Sequence, residues 1–153
     1  MTSYLIDTNV WLAMTWDTHP QHAPASRWYT ALTGARDETE LLFCRFTMLG
    51  FLRLLTNEAI MGESTVSLRE ALNIYDRWRG DPRVALAGEP HGVENLLRDA
   101  VSPFLSMPAT KAVADCYLVA FAEASGSHLV TIDKAMAAAA KRRNNPVVLL
   151  RPA

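Results

Sequence analysis

Two stretches decide how this chain is read: Tyr4-Leu5-Ile6-Asp7-Thr8-Asn9 near the start and Leu129-Val130-Thr131-Ile132-Asp133 near the end. Each is a short apolar run that closes on an aspartate. Short apolar runs with β-branched residues read as buried parallel strands. In an open α/β sheet, ligands bind outside the carboxyl ends of the strands. Burying a carboxylate is costly unless something compensates it. Two carboxylates there, from opposite ends of the chain, point to a shared acidic pocket that would hold a hard cation.

Working outward, the first strand covers Ser3 to Ile6, and a short helix follows from Val10 to Met14. His19-Pro20 breaks it, and a second helix runs to Leu32, stopped by Thr33-Gly34. Arg36 to Glu40 reads as a polar loop, and Leu41-Leu42-Phe43-Cys44 as the second strand. Thr47 is placed to cap a helix through Leu55. Asn57 to Thr65 is a loop or broken helix. Ser67 caps a helix through Trp78 that Gly80-Asp81-Pro82 ends. The third strand is Val84 to Leu86, followed by a helix from Val93 to Leu105. Thr110 opens a helix that Gly126 closes. Leu129 to Ile132 forms the fourth strand, Ala135 to Arg142 an alanine-rich helix, and Pro146 to Leu150 the last strand. Strands alternating with helices predict an α/β fold, a three-layer α/β/α sandwich on a parallel sheet.

The composition fits that reading. Half of the 153 residues are hydrophobic, enough for a core, and the length suits a single domain over 1–153. The formal charge of −1 excludes a strongly basic nucleic-acid binder but not a local basic patch. Cys44 and Cys116 form no CxxC pair and read as buried free thiols. There is no basic-then-apolar leader and no run near the roughly 18 apolar residues of a membrane helix. A soluble, cytoplasmic protein is expected.

A third carboxylate joins the first two. A helix that precedes a parallel strand runs antiparallel to it, so its first turns lie at the strand's carboxyl edge. Asp115 lies in the first two turns of the helix before the fourth strand. Asp7, Asp115 and Asp133 therefore all reach one sheet edge, a topological switch point if strands one and four are neighbours. Three clustered carboxylates need a counter-charge to stay ionised, and Mg²⁺ or Mn²⁺ on oxygen ligands is the natural one. Singly, each acid has a second reading. Asp7 and Asp133 could cap the helices that follow them, and Asp115 could pair with Lys111 at i−4.

The segments Leu5 to Leu12, Asp115-Cys116-Tyr117-Leu118 and Leu129 to Asp133 resemble the PIN-domain ribonucleases. More closely, the chain resembles the VapC toxins of toxin–antitoxin modules, from its first residue almost to its last. Cys44-Arg45-Phe46-Thr47 through Phe51-Leu52-Arg53-Leu54-Leu55-Thr56 is similar to one VapC subgroup. The resemblance implies strand order 3-2-1-4-5 and a Mg²⁺-dependent endoribonuclease in which Mn²⁺ substitutes. It implies Asp7, Asp115 and Asp133 as catalytic and metal-holding residues, with Asn9 and Thr131 in support. It also implies an RNA substrate, a VapB-like antitoxin and a homodimer, with no membrane.

One position departs from the family pattern. PIN domains usually carry a glutamate in the first turn of the helix after strand two, at N3 from a Thr47 cap. Here that position is Gly50. A second metal ion therefore lacks one of its ligands, and a catalytically degenerate PIN domain that binds RNA or antitoxin without cleavage is the alternative function. Arg45 follows strand two and reads as either an RNA or antitoxin contact or a structural ion pair. Lys141-Arg142-Arg143 either complements a helix dipole or meets RNA backbone. His19 and His22 sit at no strand end, and the four tryptophans read as core or interface rather than base-stacking platforms. A haloacid-dehalogenase phosphatase would need Asp-x-Asp where this chain has Asp7-Thr8-Asn9. A receiver domain would want adjacent acids near the first strand. A nucleotide-binding module would need a glycine-rich loop, and none is present.

Overall fold

The computed structural model describes residues 1–32 and 38–151. Five strands, β1 (Thr2–Ile6), β2 (Thr39–Cys44), β3 (Val84–Ala87), β4 (His128–Thr131) and β5 (Val147–Leu149), form one sheet in the order β3-β2-β1-β4-β5. Every pairing is parallel. This is the expected fold class and strand order. The chain adds strands to one side of β1, then crosses to add β4 and β5 on the other, so β1 and β4 flank the switch point.

Residue alternation along the strands fills both faces of the sheet. Ile6, Leu41, Phe43 and Val130 face helices α1 (Thr8–Thr15), α2 (His22–Ala31), α3 (Arg45–Leu55) and α5 (Leu68–Arg79). On that side the buried Trp11 stacks on Phe43 with ring centroids 3.8 Å apart. Leu5, Leu42, Cys44 and Leu129 face α7 (Thr110–Ser125) and α8 (Lys134–Arg142). α6 (Val93–Ala100) packs on α7 from outside. Both cysteines are free and buried. Trp28 and Trp78 pack edge-on against Tyr4 and Trp11.

Several boundaries move for identifiable reasons. Strand β2 starts at Thr39 rather than Leu41, because Glu40 is held at the sheet's amino edge by Ser3 Oγ, which donates to its carboxylate at 2.8 Å. Of the expected polar loop, Arg36 and Asp37, like the expected helix stop Thr33-Gly34, lie outside the described residues. Helix α3 begins at Arg45, with Cys44 rather than Thr47 at the N-cap. Thr47 is the N3 residue, and its hydroxyl reaches back to accept from the Cys44 amide at 2.9 Å. Gly50 therefore sits in the second turn of α3, not at N3. The segment after Asn57 forms a one-turn helix, α4 (Glu58–Met61), and a 3₁₀ turn over Gly62–Ser64. The helix expected to reach Leu105 ends at Ala100, and a 3₁₀ turn over Ser102–Phe104 follows. Pro103 has no amide hydrogen to extend the α-helical ladder. Gly126 closes α7 with φ +68°, the left-handed cap expected of it.

Candidate metal centre

The acidic pocket is built at the carboxyl edge of β1 and β4. Asp7 still belongs to the ladder, since its amide donates to Val130 O at 2.9 Å. Its side chain is only 6% exposed and does not cap α1. Thr131 lies on β4 beside it. The Thr131 hydroxyl donates to Asp7 Oδ2 at 3.1 Å and accepts from the Asp133 amide at 3.0 Å. One hydroxyl therefore fixes the Asp7 carboxylate and the turn that carries Asp133. Asp133 also caps α8, its Oδ1 accepting from the amides of Ala135 at 2.8 Å and Met136 at 3.3 Å. The capping reading of Asp133 is thus correct, and it leaves Oδ2 for another partner.

That partner is Lys111. Its ammonium bonds Asp133 Oδ2 and stands 4.0 Å from Asp115 Oδ2, on the preceding turn's side of α7. The i−4 pairing expected for Asp115 is present but long. The stronger bond runs across to another element. The lysine appears in the sequence only as a neighbour of Asp115. Its spacing was the sole signal, and nothing local tells which carboxylate it binds.

The electrostatics follow from burial and these partners. Burial pushes Asp7 from 3.8 up to about 6, and the charges of Asp115 and Asp133 add to it, while the bonds from Thr131 and the Thr8 amide work against it. Asp115 is also raised, by burial first, with Lys111 pulling it down. Burial works to raise Asp133 too, but Lys111 and the α8 amides outweigh it and hold that carboxyl below its usual value. Lys111 is raised in turn, chiefly by Asp133.

The donor set suits a hard cation: three carboxylates and a hydroxyl, with no sulfur or imidazole. Among the described residues, no three such side chains converge as a ready-made metal cage. The Lys111 ammonium is a cation standing in the pocket already.

Asn9 is exposed in the first turn of α1. Arg45 is exposed, its guanidinium against Met48 Sδ at 3.5 Å. Gly50 faces Thr8, the residue after Asp7. A Cβ at position 50 would meet Thr8 Cγ2 and Oγ1 at 3.0 Å. The basic run is divided. Arg143 forms a forked pair with Glu123 at 2.6 and 3.2 Å, and Arg142 lies over the Phe104 ring at 5.7 Å. His22 Nδ1 is engaged with Ala13 O at 2.7 Å, and His19 Nδ1 accepts from the Gln21 amide at 3.0 Å.

The PIN domain family model matches residues 4–142. Ribonuclease VapC41 of Mycobacterium tuberculosis is 37% identical over 135 residues, spanning 86% of this chain and 89% of that protein. Two solved structures share the fold. A VapBC2 complex from Rickettsia felis, bound to a DNA fragment from its promoter, superposes with TM-score 0.68 at 10% identity, covering 98% of this chain and 100% of that one. VapC20 of Mycobacterium tuberculosis, a sarcin-ricin loop cleaving toxin, superposes with TM-score 0.64 at 14% identity, covering 89% and 94%. The family match runs from within β1 to the end of α8 and includes all three aspartates, so this chain belongs to the PIN domain family, in its VapC branch.

Proposed function

We propose that this chain is a Mg²⁺-dependent endoribonuclease, the toxin of a VapB–VapC-type pair, with residues 1–153 forming a single PIN domain. The observation that carries this reading is Asp7, buried at the β1–β4 edge and linked to Asp133 through Thr131, with Lys111 reaching from Asp133 towards Asp115. The relatives' names support the activity.

In this reading Asp7, Asp115 and Asp133 hold Mg²⁺, which Mn²⁺ can replace. When bound, the ion supplies the Lewis acidity that phosphodiester hydrolysis needs. Thr131 holds the rotation of the Asp7 carboxylate, and burial excludes water from around it, so its charge acts at high strength on whatever cation enters. Asn9, exposed in the first turn of α1, would support Asp7, and the exposed Arg45 would meet RNA phosphate or an antitoxin carboxylate. No helix among the described residues is long and apolar enough to cross a membrane, which fits a cytoplasmic site of action. The Rickettsia complex supports a VapB-like antitoxin as partner, and a homodimer completes the assembly.

The binding-only alternative has one observation in its favour: α3 offers glycine at position 50 and no carboxylate. Cleavage of RNA with Mg²⁺ or Mn²⁺ separates the two. Wild type is expected to cut and to lose activity in EDTA, and Asp7→Asn and Asp115→Asn are expected to lose at least about 100-fold in rate. Variants that cut as fast as wild type would remove the site assignment. Absence of any cleavage, with RNA or antitoxin still bound, would establish the alternative.

A further inference from the structure

Lys111 is the second residue of α7, one after Thr110 and four before Asp115. Its side chain is 70% exposed. A lysine in such a place ordinarily extends into water, because holding a long side chain costs rotamer entropy and an exposed ion pair returns little. This one folds back. Its ammonium joins Asp133, on the turn after β4, to Asp115, on α7, and so bridges two walls of the pocket. Asp133 Oδ1 is occupied by the α8 amides. Any ion that draws on Asp133 must therefore compete with Lys111 for Oδ2. Position 50 adds no further acid, and Thr8 fills the space beside it.

We propose that Lys111 is the pocket's own cation: it holds Asp133 beside Asp115 in the metal-free protein, gives up that carboxylate to a divalent ion, and then binds a phosphate of the RNA strand at the pocket mouth. The proposal rests on the nuclease reading above. Three carboxylates with one ammonium leave a pocket still negative enough to attract a divalent ion. Once displaced, the ammonium stays on a four-carbon stem anchored at the rim, where a polyanionic strand would arrive. The lysine thus serves as counter-ion to the acids before metal binding and to the substrate afterwards.

The test compares Lys111→Met, which keeps the stem and removes the charge, with Lys111→Arg, which keeps the charge. Mn²⁺ binding is measured without RNA by the loss of the free-ion paramagnetic resonance signal, and KM is measured on a model RNA. In Lys111→Met, Mn²⁺ binding is expected to tighten roughly five- to tenfold, since a unit charge a few ångströms away is removed, while KM rises roughly tenfold. Lys111→Arg should stay near wild type on both. A merely structural lysine would move both measurements in the same direction. Unchanged or weaker Mn²⁺ binding in Lys111→Met overturns the proposal, and so does an unchanged KM. Asp7→Asn, measured alongside, separates this proposal from the reading beneath it. If Asp7→Asn loses Mn²⁺ while Lys111→Met is silent, only the lysine assignment fails. If Asp7→Asn binds Mn²⁺ and cleaves normally, the pocket reading fails and the lysine assignment with it.

Discussion

The hydroxyl of Thr131 donates to the carboxylate of Asp7 at 3.1 Å, across 124 residues of chain. The same oxygen accepts from the Asp133 amide, so one side chain on β4 sets the position of two acids. Thr131→Val keeps the shape and removes both bonds. It should destabilise the protein by about 1.5–3 kcal/mol at pH 8, because a buried charge and a backbone amide each lose a partner. The Asp7 carboxyl should titrate higher still. Urea denaturation and titration of Asp7 by NMR read both effects. A variant as stable as wild type would show that Thr131 is not a support.

The raised carboxyl of Asp7 has a definite consequence for stability. An unfolded aspartate titrates near 4, whereas folded Asp7 titrates at about 6. Between these values the folded state binds more protons than the unfolded state, so stability falls as pH rises through that window and stays lower above it. The loss is on the order of 3 kcal/mol when complete. In metal-free buffer Asp7→Asn should therefore be more stable than wild type at pH 8, with the gap closing towards pH 4. Chemical denaturation at the two pH values checks the sign, and a gap that is constant with pH contradicts it.

Divalent metal should nearly close that gap. Mg²⁺ at about 100 times its Kd stabilises a protein that binds it only when folded by about 2.7 kcal/mol. Wild type should gain this at pH 8 and Asp7→Asn should not, and chelation should reopen the gap. A thermal melt series with Mg²⁺ and EDTA is sufficient. Equal stabilisation of the two proteins would move the ion away from Asp7.

Gly50 lies against Thr8 closely enough that alanine there is strained. Alanine in a helix interior is normally favoured over glycine by about 1 kcal/mol. Here its Cβ would meet both γ atoms of Thr8 at 3.0 Å, and turning χ1 of Thr8 still leaves one γ atom facing it. Gly50→Ala should therefore lose about 1 kcal/mol net. Adding Thr8→Ala, which keeps only an ordinary contact at 3.5 Å, should recover it. A double-mutant cycle measures the coupling.

The two arginines that the sequence leaves open should behave oppositely. Arg45 is exposed against a methionine, so Arg45→Ala should change stability by less than about 0.5 kcal/mol while lowering the salt dependence of RNA binding by about one unit of slope. Arg143 is committed to Glu123. Arg143→Ala should cost about 1 kcal/mol of stability and leave the salt dependence alone. Binding measured at several salt concentrations distinguishes them.

The α/β class, the alternation of elements and the edge that carries Asp7, Asp115 and Asp133 are legible in the residue order. These are local matters: short apolar runs, helix stops at proline and glycine, and the antiparallel relation of a helix to the strand it precedes. Its local readings failed where a side chain reached backwards or sideways. Thr47 looks like a cap because it precedes an apolar run, yet its hydroxyl bonds the amide three residues earlier and the helix starts sooner. Arg143 looks available for RNA, yet Glu123 on a neighbouring helix holds it. That Lys111 binds Asp133 more closely than Asp115, and that Thr131 ties Asp7 to Asp133, emerges from the folded arrangement alone. Partners so distant along the chain are chosen by the packing of β1, β4 and α7, and residue spacing carries no record of that choice.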